Sequence, residues 1–309
     1  LITITSRSKR PVILLLGATA VGKSTAVLAL SQLVDAVIYA DASAMYRDLS
    51  IGVAKPSLEE RAILPHFMLD LLNLDEQMNV ADFVQKSDAI IADLAREDKV
   101  ALLSGGTLYY LRHFLYGLPT TPPASEASRA YVEQMARDIG QEALYAHLTS
   151  IDPISAERLA WQDSYRVSRA LEVYYDSGKP LSSFLLEKDV LRDRYDFCLI
   201  ELVRPREELY ARINDRVEAM WQAGLVAEVE DLKRKGLNAS MPASKAIGYR
   251  QFFMEGLSLA EIKERIKKES RNYAKRQLTF LRSLPINYRL PADDITSLKQ
   301  CVQSFLFSR

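Results

Sequence analysis

The 309-residue chain is short of cysteine, histidine and net charge, and each shortage narrows what it can be. Only Cys198 and Cys301 are present. That excludes a disulfide scaffold and a multi-cysteine zinc site within one chain, and it points to a reducing compartment, expected to be the cytoplasm. His66, His113 and His147 lie far apart without metal-ligand spacing. No apolar run approaches the ~20 residues that span a bilayer. The longest, from Pro11 to Leu16, runs into a glycine turn. Lys23 and Ser24 then stand where a signal-peptide cleavage site would need small residues. Forty basic residues balance forty acidic ones, so a nucleic-acid partner would have to be met by local segregation of charge. A hydrophobic content of 48% excludes extended disorder.

What is present reads as alternating strands and helices. Val12–Leu16, Val37–Asp41 and Val100–Leu103 are apolar runs of strand length, and helical periodicity follows in Ala26–Leu33 and Ala81–Arg96. This alternation predicts an α/β fold, a parallel sheet flanked by helices. The proline-dense stretch Leu118–Pro123 marks a change of character, after which 126–191 reads as helix throughout. Phe197–Leu202 returns to a strand pattern, and long helices are predicted over 207–235 and 259–284. The expected organisation is a P-loop α/β core of residues 1–122 and 196–309, interrupted by an all-helical insertion domain of residues 123–195.

Gly17, Ala18, Thr19, Ala20, Val21, Gly22, Lys23 and Ser24 match G-x-x-x-x-G-K-[ST] between a predicted strand and a predicted helix. In that setting backbone N–H groups curl around a phosphate, the helix N-terminus adds its dipole, and Lys23 supplies a point charge. Ser24 is placed to ligate Mg, so a di- or triphosphate ligand is expected. Asp41 ends the second strand at the edge where α/β sheets bind ligands; it reads either as a general base or Mg ligand, or as a turn residue. The third strand ends in Leu103-Ser-Gly-Gly rather than the acidic residue of a nucleotide hydrolase. A small-molecule kinase remains a competing reading.

Charge segregates in the last third of the chain. Between Lys245 and Arg282 stand ten basic residues against four acidic ones. Lys267, Arg271, Lys275 and Arg282 fall on one helical side, a pattern that suits a phosphate backbone and also a solvated surface. Arg212 and Arg216, four apart, pose the same pair of readings.

Taken together, these residues resemble the tRNA dimethylallyltransferases, over about Pro11 to Arg282. The resemblance rests on Gly17–Ser24, Ala40-Asp41 with Tyr46-Arg47, Ile51–Pro56, Pro65-His66, Gly105-Gly-Thr107, Arg166–Val173, Ile247–Gln251 and Tyr273–Thr279, in that order. It implies transfer of a dimethylallyl group from dimethylallyl diphosphate to the exocyclic amine of the adenine 3′ of the tRNA anticodon. It further implies that Gly17–Ser24 hold the diphosphate with Mg at Ser24, and that Asp41 takes the adenine proton. Thr107 would sit beside the reaction centre, and Arg212 would hold the leaving pyrophosphate. The implied tRNA contacts, to the anticodon stem-loop, are Arg129, Arg166, Arg169, Lys245, Gly248, Tyr249, Arg250, Arg271, Lys275 and Arg276. A bacterial-type monomer is expected, with no membrane association. Four residues depart from the pattern. Ala42 and Ala44 follow Asp41 where Ser and Gln are usual, Phe67 replaces a histidine, and Leu108 replaces a glycine. They predict an intact diphosphate side and an altered adenine side. The competing readings are a non-catalytic tRNA-binding paralogue and prenylation of free adenine nucleotides.

Overall fold

The structure, a computed structural model, describes residues 9–118, 121–184 and 190–307. The chain divides into two compact units, Leu1–Leu115 with Arg192–Arg309, and Tyr116–Leu191.

The first unit is built on six parallel strands: β1 (Arg10–Leu16), β2 (Ala36–Tyr39), β3 (His66–Phe67), β4 (Ala101–Ser104), β5 (Tyr195–Val203) and β6 (Tyr288–Pro291). Their order across the sheet is β3-β2-β4-β1-β5-β6. Central β1 is an unbroken apolar run because helices cover both faces of a parallel sheet. Val12 to Leu16 are all fully buried, each side chain contributing ~1.5–3 kcal/mol. The short strands β3 and β6 carry too few apolar residues to be read from sequence. Both exist by pairing at the sheet edges.

The helices of this unit are α1 (Lys23–Ala29), α2 (Leu58–Ile63), α3 (Val80–Arg96), α4 (Leu108–Tyr116), which ends at the unit boundary, α8 (Arg206–Gln222), α9 (Leu225–Arg234), α10 (Leu259–Leu281) and α11 (Ile295–Phe307). The single helix expected over 207–235 is two, α8 and α9, broken at Gly224, whose φ is +97°. Helix α10 starts on a capping box, Ser258 with Glu261, which satisfies two of its first amides. Its buried side, Ile262, Ile266, Ala274, Gln277 and Leu281, faces the core.

The second unit is helical, with α5 (Glu126–Ile151), α6 (Pro153–Ala156) and α7 (Ser164–Ser177). Gly140 has strand-like ψ and a φ of +79°, so α5 is two helices across a kink. Val132, Leu144, Leu148, Val167 and Leu171 form its core. The units divide at 115/116 and 191/192, whereas the proline stretch suggested 122/123 and the returning strand pattern 195/196. At the upstream end α4 carries the chain up to the division, and at the downstream end Tyr195 already pairs with Arg10 in the sheet. No described helix is long and apolar enough to cross a membrane.

Candidate active site

The site lies at the carboxyl ends of β1, β2 and β4. Residues 17–24 leave β1 and enter α1, and the loop is shaped by cations that hold its carbonyls. Lys23 Nζ donates to the carbonyls of Gly17 (2.8 Å) and Ala18 (2.9 Å). Arg212 Nε donates to Ala20 (2.9 Å), and Arg204 Nε to Val21 (2.7 Å). Four loop carbonyls are thus held by cations, two of which, Lys23 and Arg212, also line the cavity beside the loop. Burial and the neighbouring Arg216 push the Lys23 pKa down to about 8, against the pull of Asp41.

Asp41 lies two residues beyond β2, not at its end. Its Oδ1 accepts the Ser43 amide at 3.0 Å, an Asx-type turn that sets the carboxylate's direction. The Thr107 hydroxyl accepts the Ala42 amide (3.0 Å), and the Thr107 amide donates to Ala40 (2.9 Å). The β4 turn thus grips both sides of Asp41. Gly105 is required there, since a Cβ would stand 2.2 Å from the Ala40 carbonyl oxygen. Burial raises the Asp41 pKa, opposed by the Ser43 amide, Arg216, the Ala44 amide and Lys23. A carboxylate with a raised pKa in a cleft is a candidate for acid–base chemistry.

Two cavities meet at this carboxylate. One, of about 490 Å³, is walled by the loop (Thr19, Ala20, Gly22, Lys23, Ser24), Tyr39, Arg212 and Arg216. The other, of about 290 Å³, is lined by Thr107, Lys245, Ile247, Arg250 and Arg276. Thr19, Asp41, Val53, Arg216 and Tyr273 belong to both. Arg216 donates to the Val53 carbonyl (3.2 Å), which fixes its guanidinium at the junction.

Helix α10 closes the junction from behind, through residues the sequence reading quoted in a motif but gave no role. Gln277 Oε1 accepts the Thr19 amide (2.8 Å), and its Nε2 donates to the Gly106 carbonyl (2.8 Å). Tyr273 Oη donates to the same carbonyl at 2.6 Å. A buried glutamine on an otherwise basic helix was the available signal.

Several expected contacts have other partners. Tyr249 is fully buried, and its hydroxyl accepts the Gly52 amide (3.1 Å) and donates to Glu228. Gly248 packs so closely that a Cβ would lie 2.8 Å from the Gly52 carbonyl oxygen. Neither reaches a surface where RNA could lie. Arg250 lines the second cavity but is paired with Glu269. The basic side of α10 is split: Lys267 pairs with Glu218 (2.6 Å) and Arg271 donates to Asn214, both toward α8, while Lys275, Arg276 and Arg282 are exposed. Arg129, Arg166 and Arg169 lie in the second unit. There Arg166 pairs with Asp163 (3.4 Å), and Arg169 donates to the Pro122 carbonyl (2.7 Å). The four departures are not where they were expected to act. None of Ala42, Ala44, Phe67 and Leu108 lines either cavity. Leu108 is buried in the first turn of α4, so its bulk fills core rather than channel.

Residues 44–284 match the profile of the IPP transferases. The chain belongs to that family. Among curated IPP transferase relatives, the tRNA dimethylallyltransferase of Roseiflexus castenholzii is 40% identical over 92% of this chain and 93% of its own. tRNA dimethylallyltransferase 2 of Geotalea daltonii is 37% identical over 89% and 86%. Among solved structures, a eukaryotic dimethylallyltransferase acting on tRNA superposes with a TM-score of 0.81 at 26% identity, covering 98% of this chain and 80% of that one. The tRNA isopentenylpyrophosphate transferase of Bacillus halodurans gives 0.71 at 29% identity, covering 97% and 98%.

Proposed function

We propose that this chain transfers the dimethylallyl group of dimethylallyl diphosphate to the exocyclic amine of the adenine 3′ of a tRNA anticodon, with release of diphosphate. The observation that carries this reading is a half-buried carboxylate, Asp41, at the junction of two cavities of which one is walled by the glycine-rich loop. The diphosphate lies in the larger cavity against the loop amides, Lys23 and Arg212. The amine of an extruded adenine approaches from the smaller one. The C–N bond forms as the allylic C–O bond breaks. The amine proton passes to Asp41, and the electron pair leaves on the diphosphate, whose charge the preorganised cations stabilise. Thr107 holds the Asp41 turn through the Ala42 amide.

A Mg ion fits this arrangement. Ser24 presents a hydroxyl at the start of α1, and no group of three His, Cys, Asp or Glu among the described residues forms a cage for a metal alone. Ser24 would hold one side of such an ion, and its remaining ligands would be diphosphate oxygens and water, as Mg prefers. When bound it adds charge neutralisation of the leaving group.

The test is incubation with Mg, labelled dimethylallyl diphosphate and an anticodon stem-loop carrying three consecutive adenines. Parallel samples hold AMP, or a stem-loop with the target adenine replaced. Label in the intact stem-loop alone is expected. Label in AMP would move the reading to free nucleotides, and binding without transfer would move it to a non-catalytic paralogue.

A further inference from the structure

Arg204 follows β5 and lies outside every motif by which the chain resembles its family. Its side chain is only 6% exposed, and each of its nitrogens is engaged. Nε donates to the Val21 carbonyl at 2.7 Å, Nη1 to Glu208 and Asp293 (2.6 Å to the latter), and Nη2 to Asp293. Two carboxylates more than neutralise it, and it does not line the larger cavity. It is therefore no receptor for a diphosphate. What it holds is one peptide group.

That peptide, between Val21 and Gly22, precedes one of the loop's two positive-φ glycines and can turn over about it. Gly22 has a φ of +122°, which a glycine adopts or leaves without steric cost. In a trans peptide the carbonyl and the following amide point in opposite directions. Fixing the Val21 carbonyl toward Arg204 therefore fixes the Gly22 amide the other way, and Gly22 is part of the wall of the larger cavity. Asp293, between β6 and α11, orients the guanidinium with two contacts.

We infer that Arg204, oriented by Asp293, is a positioning residue that holds the Val21–Gly22 peptide with its amide turned into the diphosphate cavity. The inference rests on the functional reading above in requiring a diphosphate in that cavity. Without the clamp the peptide samples both orientations, and one cradle donor is lost for part of the time. A binding-competent fraction of one tenth raises the apparent Kd tenfold.

The experiment is calorimetric titration of inorganic diphosphate with Mg into the full chain, wild type against Arg204→Met, Asp293→Asn and the double variant. Stem-loop binding and Tm are recorded alongside. We expect diphosphate Kd to rise about tenfold in Arg204→Met and about threefold in Asp293→Asn, order-of-magnitude figures for a lost charge-assisted hydrogen bond. The double variant should be no weaker than Arg204→Met, and stem-loop affinity should stay unchanged. If Arg204→Met fails to fold, Asp293→Asn decides, because Asp293 is largely exposed. Wild-type-like diphosphate affinity in the variants overturns the inference, as does a parallel loss of stem-loop affinity, which marks general destabilisation. Failure of the wild type itself to bind diphosphate sinks the functional reading instead.

Discussion

The side-chain amide of Gln277 joins the loop after β1 to the turn after β4, accepting from the Thr19 amide and donating to the Gly106 carbonyl, both at 2.8 Å. It does so from α10, on which Lys275 and Arg276 are exposed. Gln277→Met removes both bonds while roughly keeping the volume. Tyr273 still donates to the Gly106 carbonyl, so the Thr19 amide is the group left unpaired, at a cost on the order of 1–3 kcal/mol. Single-turnover transfer should slow about tenfold or more with stem-loop affinity unchanged; rapid-quench kinetics beside a binding titration would check this.

Asp41→Asn separates chemistry from stability. If Asp41 is the base, turnover falls ~10²–10⁴-fold. Burial raises the folded pKa of Asp41 above its unfolded value, so its contribution to stability is present at low pH and is lost as pH rises through the folded pKa. At neutral pH the asparagine variant should therefore melt higher than the wild type while being nearly inactive. Calorimetry and label transfer on one preparation test both halves.

Lys23 makes the converse prediction for ligand binding. Its pKa near 8 means that the empty site loses this charge as pH climbs through 8. Diphosphate binding at pH 8.5–9 should then take up a proton, visible as a dependence of the calorimetric heat on buffer ionisation enthalpy. No proton uptake at pH 9 would contradict the assignment. For stability the sign is also fixed. A depressed lysine pKa costs stability below 8, and that cost is relieved as pH rises toward the unfolded value.

The lysines of α10 should behave unequally. Lys275→Ala, on the exposed face, should weaken stem-loop binding and reduce the salt slope by about one if it touches a phosphate. Lys267→Ala, paired with Glu218 and Glu264, should leave the slope nearly unchanged. Fluorescence titrations between 50 and 200 mM salt distinguish them.

Tyr249→Phe removes a buried hydroxyl from between Glu228 and the Gly52 amide. It should cost ~1–3 kcal/mol in urea unfolding with stem-loop affinity unchanged, since the ring reaches no surface.

Four of the six strands and the glycine turn after β1 were legible because they follow local rules: an apolar run for a doubly covered strand, and glycines where a loop turns. Asp41 was legible as a candidate for the same reason, standing after a readable strand. What stayed hidden depends on contacts distant in sequence. Nothing near Tyr249 says that Gly52 and Glu228 will enclose it, so an apparently surface-bound motif proved to be core. The basic side of α10 was drawn from helical spacing alone, which cannot tell that α8 takes Lys267 and Arg271. Gln277 and Arg204 act on loops 258 and 183 residues away.

The sheet has a consequence for how the chain assembles. β1 pairs with β5 in register from Arg10 with Tyr195, so the centre of the sheet joins segments 185 residues apart. On a ribosome the whole helical unit, Tyr116–Leu191, emerges before the strand that completes this pairing. The local contacts of α5 and α7 can close quickly, whereas β1 must wait with one long edge unmatched. The Arg192 amide, bonded to the Leu115 carbonyl at 2.9 Å, then fastens the returning chain beside its point of departure. Synthesis order therefore lets the inserted unit fold before β5 can complete the sheet.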